Sequence, residues 1–82
     1  MFDKLNLKRK IKKSKERIEQ IEQKRSRSQA ALVTAILSHT QPDDRDVDFF
    51  NQFTAQINEE RDRMHALMKE LEELEAAGGS KH

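Results

Sequence analysis

The chain of 82 residues has no cysteine, no tryptophan and no tyrosine, with two glycines and one proline. Without cysteine there is no disulfide, no thiolate metal site and no cysteine nucleophile. With two glycines, both next to the C-terminus, phosphate-cradling loops of the dinucleotide or P-loop kind have nothing to be built from. Four phenylalanines are the whole aromatic content, so a platform for stacking nucleic-acid bases is not expected. No run approaches the ~18 apolar residues of a membrane-crossing helix. Asp3, Lys4, Lys8 and Arg9 interrupt any secretory apolar segment at the start. The length allows one small domain and excludes the common α/β enzyme folds.

Charge is abundant: 38% of the residues are Asp, Glu, Lys or Arg, against 34% hydrophobic. Such a composition is shared by disordered chains, but here the net charge is only +1 and the apolar residues are periodic. Phe50, Phe53, Ile57, Met64, Leu67, Leu71 and Leu74 follow alternating spacings of three and four, broken once at Glu60. That is a heptad stripe on one helix face. Leu7, Ile11, Ile18, Ile21, Leu32 and Ala35 hold one register in the first half, with Ser14, Arg25 and Ser28 as polar interruptions of the same seam.

The expected organisation is a single helical-hairpin domain over residues 1–77. Helix one covers about 4–39, a turn 40–43 and helix two about 43–76. Pro42 cannot sit inside a continuing helix. Thr40 and Asp43 resemble a capping box, and Asp43, Asp44, Asp46 and Asp48 crowd the start of helix two, where the helix dipole favours anions. Residues 78–82, Gly-Gly-Ser-Lys-His, read as a flexible tail of vector-linker composition.

The fold class is therefore all-α, an antiparallel, coiled-coil-like two-helix hairpin. Folding it about a turn near 40–45 pairs Leu32 with Phe53, Ile21 with Met64, Ile18 with Leu67 and Ile11 with Leu74. The same alignment places Arg25 opposite Glu60, the charged break in each stripe, and predicts a seam ion pair. Residues 1–29 carry 11 basic and 4 acidic side chains, residues 30–82 carry 5 and 11, so the hairpin sets Lys8–Lys15 beside Glu70–Glu75. A lone hairpin of this size is marginal. Ala30, Val33 and Leu37 lie away from the seam and form a candidate self-association face, so a homodimeric four-helix bundle is expected.

The functional signals are weaker. Lys24-Arg25-Ser26-Arg27-Ser28 looks like an arginine–serine motif, but five residues inside a helix favour a structural reading. Counted from Asp43, an EF-hand loop would need Gly at position six and Glu at position twelve, where Asp48 and Thr54 stand. Nothing pairs His39, His65 or His82 with Ser or Cys for nucleophilic catalysis. No enzyme, cofactor or metal is therefore expected. The expected function is a small cytoplasmic protein-interaction module of adaptor, chaperone-like or regulatory kind. The alternatives use the basic start of helix one, with Lys8, Arg9, Lys12 and Lys13 as candidate anion-binding residues: binding to nucleic-acid phosphates, or to a membrane surface.

Overall fold

The computed structural model describes residues 2–79. It consists of α1, Phe2–Leu37, and α2, Asp44–Gly79, each of 36 residues. The two pack antiparallel into a rod of 65 × 16 × 15 Å. At 1.5 Å per residue each helix is about 54 Å long, so the rod is little longer than one helix and its turn.

The stripes explain the packing. Leu7, Ile18 and Ile57 are the buried apolar side chains among the described residues, and Ile57 is 0% exposed. The polar members of the seam, Ser14, Ser28 and Glu60, are buried with them. Ser14 and Ser28 are small enough to let the backbones approach. The Ser14 hydroxyl donates to the Glu60 carbonyl at 3.4 Å across the hairpin, and Ser28 donates back to the Lys24 carbonyl at 3.5 Å. Thr54 Oγ1 is enclosed and has no hydrogen-bond partner.

The turn differs from the expected one in its chemistry. Helix one stops at Leu37 instead of continuing to 39 because His39 adopts φ 56°, the left-handed region. The His39 amide bonds the Ile36 carbonyl at 3.1 Å and the Thr40 amide bonds the Ala35 carbonyl at 2.9 Å. This paired pattern is the Schellman closure, with histidine at the position usually taken by glycine. Thr40 does not cap helix two. Its hydroxyl donates to the Ala35 carbonyl at 3.1 Å and so helps close α1. The cap of α2 is Asp43 alone, whose carboxylate accepts the Arg45 amide at 3.0 Å.

At the far end α2 continues through Gly78 and Gly79, where a tail was expected to begin. Gly78 lies beside the Lys4 side chain, so α1 still flanks it there. The rest of the expected tail, residues 80–82, lies outside the described residues.

Candidate anion-binding groove

The register places Glu60 against a different part of α1 than the stripes imply. Its carboxylate does not meet Arg25. Oε1 accepts from Arg17 Nη1 of α1 at 3.2 Å, and Oε2 accepts from Arg63 Nη1, one turn along α2, at 2.7 Å. Arg25 instead holds its guanidinium carbon 6.0 Å from the centre of the Phe50 ring, within cation–π range. The partners of Glu60 thus lie two to three turns nearer the α1 N-terminus than expected. A heptad stripe is equally satisfied when one helix slides by a whole repeat, so apolar spacing alone does not fix the register.

The Glu60 side chain is only 6% exposed, whereas Arg17 and Arg63 are 58% and 55% exposed. A buried carboxylate therefore draws two guanidinium groups, one from each helix, to the same spot on the surface. Around them is a cleft of about 310 Å³, also lined by Lys10 and Lys13, with Ser14 and Leu67 contributing to its wall. Its lining holds four cations and one carboxylate. Neighbouring grooves have the opposite balance. One sets Lys10 among Asp3, Glu70 and Glu73, and another is lined by Glu19 and Glu22 with Gln23 and Ser26.

Of the four candidate anion-binding residues, Lys13 lines the cationic cleft and Lys8, Arg9 and Lys12 do not. All four are exposed, and none makes an ion pair among the described residues. The second cross-hairpin ion pair lies further along, from Arg61 Nη2 to Glu22 Oε1 at 3.1 Å, with both side chains well exposed. Arg17 and Arg63 escaped the sequence reading because Arg63 belongs to the acidic half and Arg17 lies beyond the basic run. The signal available was positional: Lys10, Lys13 and Arg17 recur at i, i+3 and i+7, beside the seam residue Ser14.

Ala30, Val33 and Leu37 are all exposed, Leu37 at 75%. Ile36, Val47 and Phe49 are also exposed, so the large uncovered apolar side chains concentrate at the turn end of the rod. Phe49 stacks on Phe53 with ring centres 6.0 Å apart. Among the described residues no three His, Asp or Glu side chains gather in a way that could hold a metal ion, and neither helix is long and apolar enough to cross a membrane. Asp43 caps α2, and Asp44 and Asp46 lie in its first turn.

The molecule thus falls into the class of antiparallel two-helix hairpins, with a cationic groove on one flank and apolar side chains bared at the turn. Comparison with family models, with curated proteins and with solved structures finds no match.

Proposed function

We propose that the chain is a non-enzymatic interaction module whose first partner is a second copy of itself, the two hairpins forming a four-helix bundle. The observation carrying this is an imbalance. Among the described residues three apolar side chains are buried, whereas seven large ones are exposed: Leu5, Val33, Ile36, Leu37, Val47, Phe49 and Met68. Area supports the same reading. The accessible surface is 6730 Å², whereas a compact monomer of 9.6 kDa exposes about 5,100 Å². The excess is about 1,600 Å², above the ~800 Å² per partner of a standard stable interface. Ala30, Val33 and Leu37, spaced i, i+3 and i+7 on the side of α1 away from α2, are the expected centre of that interface.

Sedimentation velocity across a concentration series tests this. Wild type is expected to sediment as a dimer at micromolar concentration, and Val33→Glu with Leu37→Lys as a monomer of lower thermal stability. A wild-type monomer at high micromolar concentration refutes the bundle.

A second reading is supported by the exposed, unpaired cations Lys8, Arg9, Lys12 and Lys13: binding to nucleic-acid phosphates. Titration with generic duplex DNA and RNA at about 50 and 200 mM salt separates it from the first, because phosphate contacts weaken steeply with salt. Loss of binding when all four become Gln places the contact there. No binding at the lower salt removes this reading.

A further inference from the structure

We propose that the groove between α1 and α2 at Lys10, Lys13, Arg17 and Arg63 is a binding site for a compact, multiply charged phosphate compound of linear-triphosphate size. The inference goes beyond self-association and shares only Lys13 with the basic surface patch.

Glu60 organises the groove. Four cations brought together on a surface repel one another, and long side chains ordinarily spread to relieve it. Here two of the four are tied down. Arg17 and Arg63 come from different helices and each spends one terminal nitrogen on the same carboxylate, at 3.2 and 2.7 Å. A guanidinium has five N–H donors, so most of each fork remains unspent. Both arginines are more than half exposed, so the remaining donors are accessible. The carboxylate also lines the cleft, but it is 6% exposed and each of its oxygens already accepts from a guanidinium. Glu60 thus acts as an orienting group behind the site.

Lys10 and Lys13 extend the positive charge along the same flank, and the cleft they line measures about 310 Å³. That volume is at the lower end of small-molecule sites. A lining charge of four positive against one negative matches a polyanion better than a single carboxylate. Phosphate is the chemistry that guanidinium forks bind bidentately and that lysines neutralise as point charges. No aromatic side chain lines the cleft, so nothing there can stack a base. The recognised part is therefore the phosphate chain alone.

The test is calorimetric titration of the full chain with inorganic triphosphate, a nucleoside triphosphate and inorganic phosphate, at about 50 mM salt to limit screening. Inorganic and nucleoside triphosphate are expected to bind within about threefold of each other, with single phosphate much weaker, since only the phosphate chain is read. Lys10→Gln with Lys13→Gln is expected to weaken triphosphate binding about tenfold or more, without touching the Glu60 pairs and with unchanged helicity. Lys8→Gln with Lys12→Gln removes the same charge outside the cleft and should change binding less than about twofold. Equal losses from the two double variants would show a diffuse charge effect and overturn the site. So would no triphosphate binding by wild type, or a nucleoside triphosphate preferred by more than about tenfold. The dimer test reads mass, so either result can fail without the other.

Discussion

Arg17 of α1 reaches across the hairpin to Glu60 of α2, and Arg63 closes on the other oxygen of the same carboxylate. The three charges are unequally placed. The carboxylate is nearly out of water, whereas both guanidinium groups remain largely in it. Removing one side of this cluster therefore differs from removing the other. Glu60→Gln leaves two arginines that rehydrate, and is expected to cost about 1 kcal/mol. Arg17→Ala with Arg63→Ala leaves a buried carboxylate without its donors, and is expected to cost about 3 kcal/mol or more. Adding Glu60→Leu to that double variant should recover more than half of the loss. Urea unfolding at one fixed protein concentration measures all three. Equal costs for Glu60→Gln and the double arginine variant would show that burial of the carboxylate does not govern the cluster.

The helices, the break at Pro42 and the all-α hairpin were legible because each rests on local rules: spacing of apolar residues, absent glycine and proline, and acids at a helix start. The alignment of the two helices was not. Arg25 and Glu60 looked complementary because each interrupts its stripe, yet Arg25 lies over Phe50 and Glu60 takes Arg17. Sliding by a heptad keeps apolar residues facing one another and changes only the polar partners. What distinguishes registers is close packing at small residues, and Ser14 against the Glu60 backbone is such a contact. The basic run was visible as composition, but the groove needed Arg63 from the acidic half, which no linear window joins to Lys10 and Lys13.

Thr54 offers a cleaner stability test. Its hydroxyl oxygen is enclosed and has no hydrogen-bond partner. An unsatisfied polar atom of this kind costs about 1–3 kcal/mol. Thr54→Val keeps the branched shape and removes the oxygen, so it should stabilise the protein by about 1 kcal/mol. A rise in the urea midpoint with unchanged m-value is the expected result. A loss of stability would mean that the hydroxyl finds a partner in solution.

Exposure separates a monomer from the proposed bundle through one comparison. Ile57→Ala removes a side chain that is 0% exposed and should cost about 2–5 kcal/mol in either state. Leu37→Ala removes one that is 75% exposed in the hairpin, where a cost within about 0.5 kcal/mol is expected of a monomer. In a bundle that covers Leu37 the cost should exceed about 1 kcal/mol, and the stability of wild type should fall on dilution, because stability is then linked to association. Thermal unfolding of both variants at two concentrations tenfold apart gives the answer. A concentration-independent transition for wild type and Leu37→Ala alike would leave the apolar turn end without a second copy to cover it.

Among the described residues His39 is the one non-glycine in the left-handed region. At φ 56° its Cβ crowds the following carbonyl, a strain that costs an ordinary residue about 1–2 kcal/mol and glycine almost nothing. The structure needs that conformation, because the amides of His39 and Thr40 turn back onto Ile36 and Ala35 and satisfy the last carbonyls of α1. Glycine carries its own penalty, since it gives the unfolded chain more freedom to lose. The strain relieved is the larger effect, so His39→Gly should stabilise by about 0.5–1 kcal/mol. His39→Val, branched at Cβ and hostile to this region, should destabilise by about 1 kcal/mol or more. Denaturant midpoints for the two variants should therefore move in opposite directions from wild type. If both moved down, the histidine side chain itself would be holding the turn. If neither moved, the left-handed residue would not determine the stability of the hairpin, and the closure of α1 would rest on the Thr40 hydroxyl at Ala35.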